Sequence, residues 1–412
     1  MNSVPTIAQD CRKLVIVGAS LAGLRAVEAA RTEGFTGEIA LIGDEQHLPY
    51  DRPPLSKAFL EGRTQDTTFR DVATLTDELG VQLHLGSPAT GLDLEHRKVI
   101  AGGSEIEYDR LIIATGSTAR TIDGGSALRG VHVLRTKDDA VAIREAVTPG
   151  ARVIVVGGGF IGSEVASSCL KLGARATIVE AAPVPLTRAV GSLGAALTTL
   201  HGMNGVEVRT GLAVDELLGE NRITAVRLSD GSILEADLLI VGIGSSPATS
   251  WLEHSGLALH PIDRGVLCDE NLATNSDGVY AAGDVAYWDN TTFGRRMRLE
   301  NWTSAAQQGG HAARNALRSD PASYGTVPYY WSDWYGKRIQ FVGLPDAEEV
   351  RICSGSVEEG RLVALYRSKN RVIGALTISQ PRHIMKLRAQ IEAQASWESA
   401  VDLVAATEAL VR

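Results

Sequence analysis

The chain has 412 residues, 44% of them hydrophobic, and a net charge of −9, so it can bury two or three cores and is a poor general ligand for nucleic acid. No apolar run approaches the roughly 20 residues that a membrane-spanning helix needs, and the Met1–Cys11 leader lacks the basic and apolar regions of a signal peptide. Its four cysteines show neither a C-x-x-C pair nor a zinc-type spacing. These features predict a cytoplasmic protein without a metal site and without nucleic-acid or membrane partners.

The first informative stretch is an apolar strand beginning at Lys13 that runs into a glycine-rich turn and a helix. Gly18 and Gly23 hold the outer positions of a dinucleotide-binding G-x-G-x-x-G pattern, and Ser20 replaces the middle glycine. The small serine side chain reduces closeness to a phosphate without excluding it. The next strand ends on Asp44, an acid in the region that binds a ribose in such folds.

A proline-rich loop follows, reading Pro53-Pro54-Leu55-Ser56-Lys57. Two adjacent prolines fix an extended start of the loop. An isolated lysine is most often a solvated surface residue, so Lys57 on its own indicates no function. After short strands and turns from Leu75 to Ile100, another apolar strand ends in the small residues Ala114-Thr-Gly116.

The stretch from Arg152 to Glu180 is the strongest motif of the chain. A run of β-branched residues leads into Gly157, Gly159 and Gly162, then a helix, then a second apolar run that ends on Glu180. The three glycines permit a tight turn, a close pyrophosphate and close helix–strand packing, and the helix N-terminus supplies N–H donors. A carboxylate at Glu180 favours a ribose diol and repels a 2′-phosphate. The motif alone leaves open which dinucleotide binds, but for a nicotinamide cofactor we expect NADH to be preferred over NADPH.

The residues after Glu180 complete a compact unit of about 125 residues, a size typical of one domain. A loop at residues 183–192 contains Arg188, and a helix runs to about His201. Residues 205–211 and 223–231 alternate as strands, and we expect them to form a small antiparallel element. A buried strand then ends on Gly242-Ile-Gly244.

The last third of the chain offers two further candidates. A short strand from Val279 ends on Gly283-Asp284, where the acid is either a simple N-cap or a ligand contact. A helix is predicted over Ala305–Leu317. An aromatic cluster at residues 329–335 contains Trp331, and is either interface core or part of a site. Short strands and a helical region at about residues 382–410 indicate a third domain.

Taken in order, these motifs resemble the flavoprotein reductases that bind two dinucleotides, and in particular the ferredoxin reductase branch. That branch comprises putidaredoxin reductase, rubredoxin reductases and the reductase components of aromatic-ring dioxygenases. The resemblance rests on the two glycine loops, the Pro-Pro-Leu-Ser-Lys loop, Ala114-Thr-Gly116, Val241–Gly244, Gly283-Asp284 and the Tyr-Trp-Ser-Asp segment.

The resemblance implies an α/β fold with two Rossmann-like dinucleotide-binding domains and an α+β C-terminal interface domain. An FAD-binding domain of residues 1–118 and 245–328 would be split by an inserted NAD-binding domain of residues 119–244, with the interface domain at residues 329–412. FAD would be the bound cofactor and NADH the co-substrate.

The resemblance also implies the site residues. Lys57 would lie beside the isoalloxazine, Glu164 would pair with it, and both are expected to be catalytic. The expected FAD contacts are Gly18, Ser20, Ala22, Gly23, Asp44, Lys57, Ala89, Arg135, Asp284, Trp302 and Trp331. The expected NAD contacts are Gly157, Gly159, Ile161, Gly162, Glu180, Arg188 and Gly244.

The implied activity is that of an NADH:ferredoxin oxidoreductase. Electrons would pass one at a time to a [2Fe-2S] ferredoxin, docked transiently by charge, that serves a cytochrome P450 or a ring-hydroxylating dioxygenase. The family's partner surface often has a basic residue where this chain has Gly310, so we expect the docking charge to come from Arg295, Arg296, Arg298 or Arg314.

Other functions remain open. The segment from Asp44 to Lys57 contains no cysteine, which argues against disulfide or peroxide chemistry at the flavin. An NADH-sensing flavoprotein similar to the apoptosis-inducing factors is one alternative. A rubredoxin reductase, or a reductase of a small molecule such as a quinone, is another.

Overall fold

The computed structural model describes residues 11–409 as two compact units, each built from separate stretches of the chain. The first unit contains residues up to 51, residues 67–118 and residues 246–326, and the second contains residues 52–66, residues 119–245 and residues from 327 onward. The helical region expected to reach residue 410 is described only as far as Ala409, and residues 1–10 of the leader lie outside the described part.

The strands are, in chain order, β1 (Lys13–Val17), β2 (Glu38–Ile42), β3 (Val81–His84), β4 (Ala89–Asp93), β5 (Lys98–Ala101), β6 (Ser104–Glu107), β7 (Arg110–Ile113), β8 (Ser117–Ala119), β9 (Val131–Val133), β10 (Arg152–Val156), β11 (Arg175–Glu180), β12 (Glu207–Thr210), β13 (Val214–Leu218), β14 (Ala225–Leu228), β15 (Ile233–Glu235), β16 (Leu238–Val241), β17 (Ser245–Pro247), β18 (Val266–Leu267), β19 (Val279–Ala281), β20 (Ala286–Asn290), β21 (Arg295–Met297), β22 (Tyr329–Trp334), β23 (Lys337–Gly343), β24 (Glu349–Ser356), β25 (Arg361–Ser368) and β26 (Arg371–Ile378).

The α-helices are α1 (Leu21–Thr32), α2 (Lys137–Ala146), α3 (Phe160–Lys171), α4 (Thr187–Val190), α5 (Gly194–Met203), α6 (Trp302–Leu317), α7 (Pro381–Glu392) and α8 (Trp397–Ala409). Short 3₁₀ turns include Pro53–Ser56 and Gly283–Val285. Along residues 11–409, no helix combines the length and apolar character needed to cross a bilayer.

The first unit is built on a parallel five-stranded sheet of order β19-β7-β1-β2-β3. Parallel strands covered on both faces are continuously apolar, and four of the five residues of β1 are buried. Helices α1 and α6 pack so closely that a Cβ on Gly309 would lie under 3.0 Å from the carbonyl oxygen of Ala22. Helix α6 begins three residues before the predicted start, since Asn301 caps it by accepting from Ser304 N–H.

The second unit contains a parallel sheet of order β12-β11-β10-β16-β9 and an antiparallel sheet of order β22-β23-β26-β25-β24. Residues Leu197 and Leu200 of α5 share a buried core with Trp334, Phe341 and Tyr366 of the antiparallel sheet. The stretch after residue 327 therefore packs on the stretch before residue 245. The boundaries of three separate domains remain a prediction.

One strand prediction was wrong. Residues 205–211 do not join an antiparallel element, because β12 pairs parallel with β11 at the edge of the larger sheet. The antiparallel element is formed by β13, β14 and β15. Alternating burial in an edge strand looks the same for either direction of its neighbour, so the local pattern could not distinguish the two.

Candidate active site

In the first unit, the turn after β1 is shaped by the protein's own backbone. Gly18 has a φ of +124°, and a Cβ there would lie under 3.0 Å from the carbonyl oxygen of Ala114. A Cβ on Gly23 would similarly overlap the carbonyl oxygen of Gly18. Ser20 has an ordinary extended backbone with φ −125° and precedes the first residue of α1. A serine fits there without backbone strain, and the N-terminus of α1 follows it directly.

The acid of this copy, Asp44, lies two residues beyond the end of β2. Gly43 follows β2 and is buried, and a Cβ there would lie 2.6 Å from the Cβ of Ala19 in the turn. Asp44 comes next, is exposed, and accepts a hydrogen bond from Glu45 N–H at 3.0 Å. Asp44 is therefore available to a ribose, but the structure does not hold it against the glycine loop.

The Gly283-Asp284 turn lies in the same unit and is closely held. Asp284 is 9% exposed and accepts from the Ser117 hydroxyl at 3.0 Å. Gly283 has a φ of +80°, and its N–H donates to Gln308 Oε1 at 2.8 Å. Arg298 donates to the backbone oxygen of Asp284 at 2.9 Å. Asp284 is thus fixed in position by more than a simple N-cap contact.

Three further residues of this unit are predicted FAD contacts, and the structure shows where each lies. Trp302 begins α6, and its indole N–H donates to Asp51 Oδ1 at 2.7 Å. Ala22 is buried in the first turn of α1, and Ala89 begins β4 and is half-buried.

In the second unit, the loop after β10 repeats the geometry of the first. Gly157 has a φ of +103°, and a Cβ there would overlap the carbonyl oxygen of Gly242. A Cβ on Gly162 would overlap the carbonyl oxygen of Gly157. Gly159, by contrast, has no protein atom other than those of its chain neighbours within 4 Å of its Cβ position. Space that the protein leaves empty beside the N-terminus of α3 suits a pyrophosphate.

Two backbone N–H groups orient the Glu180 side chain. Its Oε2 accepts from Gly158 N–H at 2.7 Å and its Oε1 accepts from Ala182 N–H at 2.7 Å. The carboxylate therefore lies against the glycine loop, as a ribose-binding acid should. The residues present fit a dinucleotide with a free 2′-hydroxyl.

The other NAD candidates are accessible. Ile161 is 48% exposed in the first turn of α3, and Arg188 is exposed on α4. Gly244 is exposed with a φ of +94°, and its carbonyl oxygen accepts from Arg120 N–H at 3.0 Å.

The structure brings Lys57 and Glu164 together, although 107 positions separate them in the sequence. Lys57 Nζ lies 2.8 Å from Glu164 Oε1, with side-chain exposures of 16% and 3%. The same ammonium donates to the carbonyl oxygen of Pro53 at 3.3 Å. A buried ion pair of this kind is stable only when further hydrogen bonds satisfy it.

The loop that carries Lys57 is anchored to α3. The Ser168 hydroxyl donates to the carbonyl oxygen of Ser56 at 2.8 Å, and Glu61 Oε1 accepts from Lys171 at 2.9 Å. The structure thus assigns this loop to the second unit, although its sequence lies between two stretches of the first.

Two serines beside the pair were missed by the sequence analysis. Ser56 and Ser332 each donate to Glu164 at 2.5 Å, one to each carboxylate oxygen. Ser56 lies in the proline-rich loop and Ser332 in the aromatic cluster at residues 329–335. Neither local pattern indicates that the two side chains contact the same carboxylate, that of Glu164.

A second polar chain lies next to Glu164 on α3. Ser163 Oγ is 3.1 Å from His201 Nε2, and His201 Nδ1 is 2.7 Å from the Tyr335 hydroxyl. Burial lowers the pKa of His201 to about 4, so the imidazole is neutral at pH 7. This chain adds no charge beside the Lys57–Glu164 pair.

Arg135 and Trp331 lie in the same unit as Lys57. The backbone oxygen of Arg135 accepts from Arg52 at 2.7 Å, and its N–H donates to Asp139 at 3.0 Å. Trp331 is half-buried on β22, with its ring 5.8 Å from that of Tyr329.

Arg296 and Arg298, both expected to dock a partner, form ion pairs within the first unit. Arg298 is 13% exposed and pairs with Asp263 at 2.8 Å. Burial favours a lower pKa for Arg298, but its carboxylate partners outweigh burial and the pKa is raised. Arg296 pairs with Asp289 at 2.6 Å. Arg298 therefore supports the Asp284 turn and is a poor candidate for docking.

Comparison with known proteins decides the family. Residues 12–309 match the family described as pyridine nucleotide-disulphide oxidoreductase. The chain belongs to that family. Residues 329–409 match a second family, described as reductase C-terminal. This oxidoreductase therefore contains a region of each family.

Named relatives span almost the whole chain. The chain is 35% identical over 384 residues to the benzene 1,2-dioxygenase system ferredoxin–NAD(+) reductase subunit of Pseudomonas putida, covering 92% of each. It is 33% identical to human apoptosis-inducing factor 3, covering 91% of this chain but 62% of that protein. The crystal structure of a covalent putidaredoxin reductase–putidaredoxin complex matches with a TM-score of 0.89 and 29% identity, over 97% of this chain and 99% of that chain.

These matches confirm the predicted family, fold class and oxidoreductase activity. The predicted cofactor pair and ferredoxin partner agree with them. The roles of individual site residues are not addressed by the matches and stay predictions.

Proposed function

We propose that this chain is an NADH-dependent FAD reductase that passes electrons to a [2Fe-2S] ferredoxin serving a cytochrome P450 or a ring-hydroxylating dioxygenase. The observation that carries the proposal is the buried Lys57–Glu164 pair, held in the same unit as the glycine loop and Glu180. The named dioxygenase reductase and the putidaredoxin complex support the choice of a ferredoxin.

Bound FAD would link the two-electron donor NADH to a one-electron acceptor, since a flavin takes two electrons from NADH as a hydride and releases them one at a time. In balance, one NADH and two oxidised ferredoxins give NAD⁺, one proton and two reduced ferredoxins. Gly157, Gly159 and Gly162 would admit the NADH pyrophosphate to the N-terminus of α3, while Glu180 would hold the ribose diol and Arg188, Ile161 and Gly244 would border the site.

Lys57 would supply a fixed positive charge toward the flavin, and Glu164 would hold that ammonium in place. Fixed charges aimed at a site of developing negative charge need no reorganisation during the reaction. Gly18, Gly23 and the N-terminus of α1 would take the FAD pyrophosphate, Asp44 its ribose and Asp284 its ribitol. Burial of the Asp284 carboxylate beside Ser117 supports an ordered contact of that kind.

The chemistry at the flavin would not use a protein thiol. Cys169 and Cys268 are fully enclosed, and burial raises the pKa of Cys169 to about 12, so its thiolate is scarce at neutral pH. The segment from Asp44 to Lys57 contains no cysteine. The proposal includes a cytoplasmic location, which suits a chain with reduced thiols.

Anaerobic titration of the flavin-loaded protein with NADH, followed by addition of a [2Fe-2S] ferredoxin and cytochrome c, tests the function. We expect stoichiometric bleaching of the flavin by NADH and rapid ferredoxin-dependent reduction of cytochrome c. Lys57→Met should slow flavin reduction by about 100-fold, the size of effect seen when one fixed electrostatic donor is removed. An unchanged rate in that variant would exclude the assigned role of Lys57.

The likeness to apoptosis-inducing factor 3 favours one alternative, an NADH sensor that changes shape and transfers electrons poorly. The same experiment separates the two. A sensor would be reduced by NADH and would hold its electrons when ferredoxin is added.

A further inference from the structure

Glu164 accepts more hydrogen bonds than its pair with Lys57 provides. Besides the ammonium, its Oε1 accepts from the Ser332 hydroxyl at 2.5 Å and from Asp333 N–H at 3.2 Å, and its Oε2 accepts from the Ser56 hydroxyl at 2.5 Å. The side chain is 3% exposed. Four donors on one buried carboxylate leave it little freedom to move.

The direction of the bond from Ser332 follows from its other neighbour. The indole N–H of Trp334 lies 2.6 Å from Ser332 Oγ, and an indole N–H can only donate. Ser332 must accept that bond, so its single hydroxyl proton is left for Glu164. The result is a directed chain that runs from Trp334 through Ser332 to Glu164.

The start of this chain is rigid. Ser332 and Trp334 are both 0% exposed and lie on one face of β22. The strand is paired along its length with β23, where Ser332 lies opposite Ile339. The carboxylate of Asp333 is bound by Arg338 at 2.8 Å, so Asp333 offers Glu164 only its backbone N–H.

Lys57, in contrast, has few constraints of its own. Its ammonium contacts Glu164 at 2.8 Å and the Pro53 carbonyl at 3.3 Å, and it ends a four-carbon chain on a short turn. The position of its charge therefore depends on Glu164, and the position of Glu164 depends on the two serines.

We propose that Ser332 is a positioning residue for flavin reduction, which acts through Glu164 to fix the ammonium of Lys57. The inference rests on the proposed function and extends it, because it gives the β22 strand a role in the reaction as well as in packing.

The test uses the flavin-loaded holoenzyme in four forms: parent, Ser332→Ala, Glu164→Gln and the double variant. Stopped-flow absorbance gives the rate constant of flavin reduction by NADH, and a redox titration gives the flavin midpoint potential. Ser332→Ala should lower the rate constant about fivefold, the effect of losing one typical intramolecular hydrogen bond, because Ser332 acts on the flavin only through Glu164, and it should make the potential more negative. In the Glu164→Gln background, Ser332→Ala should change neither quantity further.

Two controls separate positioning from packing. Thr377→Val removes a buried hydroxyl of the same sheet whose Oγ1 has no hydrogen-bond partner among the described residues, and should leave both quantities at parent values. Ser332→Cys replaces the hydroxyl with a slightly larger thiol, which is a weak donor, so it should change the rate constant and the potential in the same direction as Ser332→Ala even where the alanine variant unfolds.

Three outcomes would overturn the inference: a parent-like potential in Ser332→Ala and Ser332→Cys, equal losses of rate in the presence and absence of Glu164, or the same losses in Thr377→Val. A parent protein that binds flavin but is not reduced by NADH would instead overturn the proposed function.

Discussion

The two glycine loops of this chain have the same backbone and different ligand-facing residues. In each loop the first glycine has a positive φ and the third packs on the carbonyl oxygen of the first. A side chain at any of these four positions would strike backbone, so the fold itself requires glycine there. The middle position is different, because Ser20 and Gly159 both have ordinary extended backbone. The backbone does not require a glycine at the middle position, so a glycine is needed there only to leave space for a ligand.

The acids differ in the same way. In the second unit Val179 lies opposite Val156, so Glu180 is the first residue past that pair and reaches back to Gly158. In the first unit the corresponding position is Gly43, which packs on Ala19. In the first loop the methyl group of Ala19 thus occupies the space that the second loop leaves for the Glu180 carboxylate. Its own acid, Asp44, lies one residue later and is exposed.

The largest expected effect is that of Gly162→Ala, which tests whether the fold requires the outer glycines. The new Cβ would meet the Gly157 carbonyl and lie 3.2 Å from Val155, and overpacking of this kind costs about 3 kcal/mol. We expect the unfolding temperature of the holoenzyme, followed by circular dichroism, to fall by about 6–12 °C. Gly202→Ala is the control, since that helical glycine has no neighbour within 4 Å. Equal unfolding temperatures for the two variants would contradict this reading of the loop.

The next effect tests the acid that only the second loop orients. Glu180→Ala should lower kcat/KM for NADH by about 10- to 100-fold, as loss of hydrogen bonds to a charged group implies, and should narrow the preference over NADPH. Steady-state rates with both nucleotides measure this, with Glu207→Ala on the neighbouring strand as the control. A parent enzyme with equal kcat/KM for NADH and NADPH would refute the assignment of Glu180.

A smaller effect is expected at the middle glycine. Gly159→Ala adds a methyl group where no protein atom other than those of its chain neighbours lies within 4 Å, so thermal stability should stay at the parent value. The KM for NADH should rise about fivefold, the equivalent of roughly 1 kcal/mol. A loss of stability with an unchanged KM would show that the middle and outer glycines are alike after all.

The smallest effect is expected from Ser20→Gly, which makes the first loop match the second. Glycine replaces serine at a helix N-cap at a cost of only a few tenths of a kcal/mol, and the dissociation constant for FAD should change less than about twofold. Reconstitution of the flavin-free protein, followed by flavin fluorescence, measures it. If the variant loses its flavin, the serine makes a contact that glycine cannot replace.

Local patterns in the sequence predicted both glycine loops and the acid Glu180, because each depends on residues close together in the chain. The pairing of Lys57 with Glu164 came from a family resemblance, since no spacing indicates that two residues 107 positions apart will meet. Ser332 was missed for the same reason, being 168 positions from Glu164. The direction of β12 was also mistaken, because the alternation of one strand carries no information about its neighbour.

The close contact of α1 with α6 has a consequence for synthesis. A hydrogen bond between Arg318 and Glu33, which follow these two helices, joins positions 285 residues apart. The edge of β7 likewise stays unpaired until β19 has been synthesised. A ribosome adds about 5–20 residues per second. The opening strands of the first unit are therefore exposed for roughly 15–60 s before their partners emerge, while the second loop and its sheet are made and can fold in the meantime. Chaperones that shield β-strand edges should matter most to this protein during that interval.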